Sequence, residues 1–248
     1  IEVIGSDTET ALLFRHLQPF NHNDLDILRE FAITHQVRVY CQPAGMDSIQ
    51  PLYPPDALPL HYDITQHRIR FEYHPVHFIQ VNQAINIKMI DQALSLLELK
   101  ATDQVIDLFC GIGNFSLPMA RYCQHVVGVE GDTSAITQAQ HNAIINKLQN
   151  TEFYYANLFE NVYNEEWGNR KYNKVLLDPP RAGAQEIIPT LVKWEPERIV
   201  YVSCNPATLA RDIGLLTASG YQLVQCGILD MFPQTKHVET MALLTRVP

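Results

Sequence analysis

The segment Ser203-Cys204-Asn205-Pro206 sets a thiol between a run of apolar, β-branched residues, Ile199 to Val202, and a helix that should begin at or just after Pro206, since proline favours the first helical position. A cysteine at such a junction lies near the positive end of a helix dipole. That favours thiolate over thiol and predicts a pKa below the usual ~8.5, the condition of an activated nucleophile. Taken alone, Cys204 also reads as a small core thiol, as do Cys41, Cys110, Cys123 and Cys226.

A second constellation is Asp107-Leu108-Phe109-Cys110-Gly111-Ile112-Gly113-Asn114-Phe115, which follows a strand-like run and opens a helix, where α/β sheets bind nucleotides. Its glycines let a ligand approach the backbone. Glu130, about 20 residues further, ends the next strand, where an acid accepts both hydroxyls of a ribose. Loop and acid together imply an adenosine-type cofactor; a tight turn beside a surface acid is the plainer alternative. Nicotinamide is disfavoured because Ser116 stands where the Gly-x-Gly-x-x-Gly pattern needs its third glycine to pack around a pyrophosphate. S-adenosylmethionine has no pyrophosphate and suits the loop better.

Asp178-Pro179-Pro180-Arg181 ends another strand-like run, and strand C-termini are where ligands lie in such sheets. The carboxylate can hold a cofactor or a base, and Arg181 a phosphate or a base carbonyl; a capped turn is the alternative. The loop from Phe232 to Thr240 carries His237 and Glu239 toward the same sheet edge. His74 and His77 have no Cys or carboxylate partners in a metal-site pattern, so no metal is expected.

These residues need a frame. From Gln83, Ile85, Met89, Ala93 and Leu97 recur at helical spacing behind a capping Asn82, in a helix expected to end at Leu99. Strand-like runs then follow at Val105 to Phe109, Val126 to Val129, Glu152 to Tyr155, Lys174 to Leu177, Ile199 to Val202, Leu223 to Leu229 and Met241 to Thr245. Alternation with helical stretches predicts a parallel sheet covered on both faces. The last two runs lack a helix between them and should form an antiparallel hairpin at the sheet edge. Before His77 the signals are mixed: strands at Ala11 to Phe14, Val37 to Tyr40 and Ile69 to Tyr73, a helix near Asp24 to Ala32, and a Pro-rich turn region from Pro43 to Pro59. The expected organisation is therefore a small α+β domain, 1–77, and an α/β domain, 78–248.

With 46% apolar and 18% charged residues in 248, the chain has the composition of a globular enzyme. No apolar run approaches the ~20 residues of a membrane span, and no Cys-x-x-Cys pair suggests zinc, so a cytoplasmic monomer is the expectation. The net charge of −9 opposes non-specific binding to a polyanion. The chain opens at Ile1, inside a strand-like run to Ile4, and reads as a piece of something longer.

Taken together, Phe78 to Asn82, Asp107 to Phe115, Val129-Glu130-Gly131, Asp178 to Gly183, Ser203 to Asp212 and Asp230 to Met241 resemble the RNA uracil-5-methyltransferase family in order and spacing. The resemblance covers essentially the whole chain and is strongest to the bacterial 23S ribosomal RNA branch. It implies a Rossmann-like methyltransferase sheet, S-adenosylmethionine as cofactor and RNA as partner. It implies Cys204 as nucleophile and Glu239 as base. By the same resemblance Gln80, Phe109, Asn114, Glu130, Asn157 and Asp178 contact the cofactor beside Gly111, and Phe78 and Arg181 the target uridine. It also implies an N-terminal OB-like RNA-binding domain with cysteines for an iron–sulfur cluster; neither lies in this sequence.

The implied chemistry suits these residue types. Carbon 5 of uracil is a poor nucleophile, so methylation there needs covalent activation, which Cys204 would supply by adding to carbon 6. A shielded carboxylate, its pKa raised toward the working pH, would then remove the carbon 5 proton. The alternatives are a transfer RNA uracil-5-methyltransferase, a methyltransferase acting on a base amino group, for which Arg181 stands where an aromatic would be wanted, and a non-catalytic RNA-binding factor.

Overall fold

The computed structural model describes residues 1–5, 9–160, 162 and 165–247. The chain divides into two compact units, Ile1–Asp63 with Phe71–Val81, and Ile64–Arg70 with Asn82–Pro248.

In the first unit β1 (Glu2–Gly5), β2 (Thr10–Arg15), β3 (Arg38–Gln42) and β4 (Gln50–Tyr53) form a sheet in that order. β2 and β3 are parallel and joined by helix α1 (His22–His35), which a reciprocal Asn21–Asp24 capping box starts. Ala11, Leu13 and Val39 are fully buried. β4 lies within the region read as turns only; Pro51 is tolerated there because β4 is an edge strand with no neighbour on its outer side. β5 (Leu60–Ile64) and β6 (Ile69–Tyr73) make a two-stranded ribbon in which alternate residues are buried, Tyr62 stacking on Phe71 at 4.8 Å.

The second unit begins its main run with α2 (Gln83–Leu97), started by the Asn82 side chain accepting from Ile85 N–H and ended at Leu97, two residues before the expected Leu99, by a left-handed turn at Glu98. Seven strands and four further helices follow: β7 (Gln104–Leu108), α3 (Ser116–Ala120), β8 (His125–Glu130), α4 (Thr133–Ile145), β9 (Thr151–Tyr155), β10 (Lys174–Leu177), α5 (Ile188–Trp194), β11 (Arg198–Ser203), α6 (Pro206–Ala218), β12 (Tyr221–Leu229) and β13 (Glu239–Arg246). The sheet order is β12-β13-β11-β10-β7-β8-β9.

The five strands from β9 to β11 are parallel, and their centres are almost wholly apolar and buried, as strands covered on both faces require. β13 runs antiparallel between β11 and the edge strand β12. This is a Rossmann-like α/β sheet with a C-terminal antiparallel hairpin. The winding reverses between β7 and β10, whose last residues, Leu108 and Leu177, are partners. The crevice at such a switch point is where ligands bind, and here Phe109 and Asp178 open it side by side.

Candidate active site

On the β7 side the chain turns sharply. Phe109 takes the left-handed conformation at φ 64°, and the N–H groups of Phe109 and Cys110 both donate to the Val129 carbonyl, at 2.9 and 3.1 Å. Gly111 follows with φ 53°, and nothing lies within 4 Å of where a side chain would start, so its surface faces open space. Glu130, at the end of β8, accepts from Gly111 N–H at 3.0 Å and from Gly131 N–H at 2.7 Å. One carboxylate thereby ties the two loops together while each oxygen keeps a lone pair.

Beneath the loop, Asp107 is fully buried. Its Oδ2 accepts from the Ser116 hydroxyl, and its Oδ1 has no protein partner among the described residues. Burial raises the Asp107 pKa to about 7 against the Ser116 hydrogen bonds, with Glu130 adding to the rise. Asn114 exchanges two 2.9 Å hydrogen bonds with the buried Asn86 of α2, and Asn142 of α4 donates to the Ile112 carbonyl at 3.3 Å. Neighbouring helices thus hold the second half of the loop. Past β9, Asn157 caps a turn by accepting from Phe159 N–H, and the Phe159 ring packs on Phe109 with centroids 5.7 Å apart.

On the β10 side, Asp178 donates its N–H to the Leu108 carbonyl at 3.2 Å. The turn after it is clamped to α6. Asn205 Nδ2 and Thr208 Oγ1 donate to the Arg181 carbonyl, and Arg211 donates to the Ala182 carbonyl. The fully buried Asp212 accepts from Ala184 N–H, the Tyr201 hydroxyl and Arg211 Nε, at 2.8, 2.6 and 2.8 Å. Gly183, at φ 83°, is the only residue type that fits: a Cβ there would lie 2.6 Å from both Arg211 Nη2 and Asp212 Oδ2.

Cys204 leaves β11 one residue after Ser203, and Glu239 enters β13 one residue before Thr240; Ser203 and Thr240 are the last pair of that ladder. The Thr240 hydroxyl locks the pair by donating to the Ser203 carbonyl at 2.8 Å. Glu239 is 3% exposed, and burial raises its pKa to about 7. Asp178 is raised well above the ordinary carboxylate range, by burial first and then by the charges of Glu239, Asp107 and Glu130.

The helix-dipole expectation for Cys204 is overturned. Its thiol is raised, not lowered: partial burial acts first, then the negative charges of Glu239 and Asp178, against which the Arg181 cation works. The Cys204 side chain precedes the N-cap Asn205, whose own side chain takes the Ala207 N–H, and two carboxylates from other strands outweigh the helix end.

Of the residues singled out from sequence, Cys204, Asp178, Arg181, Phe109, Gly111, Asn114 and Asn157 lie on loops of the second unit's sheet, and Glu130 and Glu239 are terminal residues of its strands β8 and β13. Phe78, 73% exposed, and Gln80 belong to the first unit. From sequence alone His237, whose ring accepts from Arg181, reads only as a residue that could reach the sheet edge, and Ser116 only as a departure from a dinucleotide loop; Asn86 and Asp212 carry no role there, and only the topology reveals what these four touch.

The crevice can be tested for S-adenosylmethionine. Asp107, Glu130 and Asp178 are close enough for their charges to act on one another, and the buried Asp107 Oδ1 lacks a partner. A ligand bearing positive centres and ribose hydroxyl donors fits this surface, whereas a pyrophosphate would face three carboxylates. Gly111 leaves the backbone bare for close approach.

The family model described as tRNA (Uracil-5-)-methyltransferase matches residues 54–247. The chain belongs to that family. Among curated uracil-5-methyltransferase relatives, the 23S rRNA (uracil(1939)-C(5))-methyltransferase RlmD of Legionella pneumophila (strain Corby) is 48% identical over 99% of this chain. The protein of the same name from Xanthomonas axonopodis pv. citri is 45% identical over 99% of it. The chain spans 56% and 55% of those two relatives. Among solved structures, Pyrococcus abyssi tRNA (uracil-54, C5)-methyltransferase in complex with S-adenosyl-L-homocysteine superposes with a TM-score of 0.74 at 25% identity, over 96% of this chain and 56% of that one. The M. jannaschii tRNA m1G37 methyltransferase, at 14% identity and a TM-score of 0.65, shares the fold alone. The family's methyl donor is S-adenosylmethionine, and the crevice of this uracil-5-methyltransferase family member suits it.

Proposed function

We propose that this chain is the catalytic part of an S-adenosylmethionine-dependent methyltransferase that modifies carbon 5 of a uridine in RNA, with 23S ribosomal RNA as substrate. The observation that carries the proposal is the β11–β13 register, which brings a thiol and a buried carboxylate together just beyond the last pair of two adjacent strands, with Asp178 close enough for its charge to act on the thiol. The named activity of relatives 48% and 45% identical supports the ribosomal substrate. No described helix is long and apolar enough to cross a membrane, and we read the chain as a cytoplasmic monomer.

S-adenosylmethionine, when bound, supplies an electrophilic methyl group. Gly111, Phe109, Asn114, Glu130, Asn157 and Asp178 would hold it, with Gln80. Cys204 adds as thiolate to carbon 6 of the uracil, breaking the 5,6 double bond and placing the electron pair at carbon 5. Once carbon 5 carries the methyl group it also carries a proton, which must leave before the Cys204–carbon 6 bond can break. Glu239, with a pKa of about 7, is matched to take that proton near neutral pH. Arg181 and Phe78 would steady the uridine after it leaves its stack, an extrusion that costs a few kcal/mol and least in unpaired RNA.

RNA carrying 5-fluorouridine at the target tests the mechanism, because fluorine cannot leave as a proton does. Mass spectrometry should find a covalent adduct on the peptide containing Cys204. Turnover without an adduct would favour transfer to an amino group and remove Cys204 from the chemistry.

A further inference from the structure

Arg181 Nη2 lies 2.7 Å from His237 Nδ1 and 3.3 Å from His237 Nε2. A guanidinium has only donors, so in this contact the ring nitrogen accepts. His237 is itself held: its N–H donates to Thr235 Oγ1 at 3.1 Å, Thr235 Oγ1 donates to the Phe232 carbonyl, and the Phe232 ring meets the imidazole edge-on at 6.0 Å. The Arg181 main chain is fixed from the other side by Asn205 and Thr208, the residues that follow the nucleophile. The guanidinium is therefore restrained at both ends.

Charged groups that act on Cys204 come from three elements: Glu239 from β13, Asp178 from the end of β10 and Arg181 from the turn after it. Two are carboxylates. Arg181 is the cation among them, and its long side chain has many rotamers unless something selects one.

We propose that His237 is a positioning residue that holds the Arg181 guanidinium toward Cys204, so that the nucleophile's negative charge is stabilised between two carboxylates. This rests on the assignment of Cys204 as nucleophile. It gives His237, two residues before the base Glu239, a task in the first step, distinct from the proton removal that Glu239 performs. An isosteric acceptor should replace it: Asn Oδ1 reaches where His Nδ1 stands, while Ala or Leu offers no acceptor.

The test is the rate of Cys204 alkylation by iodoacetamide from pH 6 to 10, read by peptide mass spectrometry, with the exposed Cys226 as internal reference. His237→Ala should slow Cys204 alkylation at pH 7 by roughly three- to tenfold, the scale for losing one partly screened charge. Arg181→Ala should do the same, the double variant should add nothing, and His237→Asn should restore the parent profile. An unchanged Cys204 profile in His237→Ala, or a loss that Arg181→Ala does not share, overturns the proposal. Failure of the nucleophile assignment would look different: Cys204→Ala would retain methyl transfer whatever the alkylation profiles show.

Discussion

Cys204 and Glu239 lie side by side just beyond Ser203 and Thr240, the last residue pair of the β11–β13 ladder, so the proposed nucleophile and base, from segments far apart in sequence, are held by backbone register. Rigid strands position both more closely than loops would. The two groups also oppose one another: each would be anionic at work, and burial resists both charges.

Division of labour between them gives the first prediction. Glu239→Gln should still form the Cys204–RNA bond but fail to release it. Incubation with S-adenosylmethionine and substrate should leave a methylated adduct that persists on a denaturing gel, while Cys204→Ala leaves none. Free product from Glu239→Gln at the parent rate would exclude Glu239 as the base.

Glu239 also carries a stability cost with a definite sign. Its folded pKa of about 7 exceeds its ordinary unfolded value, so stability is fully present below that unfolded value and is lost as pH rises through about 7. Glu239→Gln removes the cost. Urea unfolding should show the variant more stable than the parent by about 3 kcal/mol at pH 8, an upper estimate, with the gap closing toward pH 4. A gap of the same size at both pH values would contradict the assignment.

The same two groups set the pH dependence of turnover. Both must be deprotonated to act, and both are raised, Glu239 to about 7 and Cys204 above its ordinary thiol value. Activity should therefore rise with pH through neutrality and keep rising into the alkaline range, measured as initial rates at saturating S-adenosylmethionine. A flat profile from pH 6 to 9 would show that neither ionisation limits the reaction.

Gly111→Ala separates folding from binding. A left-handed φ costs an alanine about 1 to 2 kcal/mol, but the protein offers its Cβ no clash. Thermal unfolding should shift modestly while calorimetric binding of S-adenosylhomocysteine weakens at least about tenfold, a loss of ~1.4 kcal/mol. Unchanged affinity would place the cofactor elsewhere.

Asp212→Ala strikes the clamp on the turn after Asp178. It strands the buried Tyr201 hydroxyl and Ala184 N–H together, while the more exposed Arg211 keeps the Ala182 carbonyl. Urea unfolding should show a loss of about 2 to 4 kcal/mol, for two buried donors left without an acceptor. A loss below about 1 kcal/mol would mean that the turn is held some other way.

Much of this arrangement is legible before any coordinates. The apolar run Lys174 to Leu177 is β10 residue for residue, Asn82 caps α2, and the final two runs pair as a hairpin with β12 at the edge. Local patterns carry such information because period and caps are properties of neighbouring residues. β4 escaped because Pro51 reads as a breaker wherever its strand lies, and only the assembled sheet shows that it lies at an edge. The Cys204 pKa went the wrong way for a related reason. The helix after Pro206 is visible locally, but Glu239 and Asp178 reach the thiol from strands 35 and 26 residues away by numbering. The Asn86–Asn114 and Arg181–His237 contacts are likewise products of topology.

The measurement that tests the central claim most directly is methyl transfer from labelled S-adenosylmethionine to unmodified 23S ribosomal RNA, comparing the parent protein with Cys204→Ala and identifying the product nucleoside. The account predicts 5-methyluridine from the parent and none from the variant. Methyl transfer that survives the loss of Cys204, or that yields a different nucleoside, would contradict it.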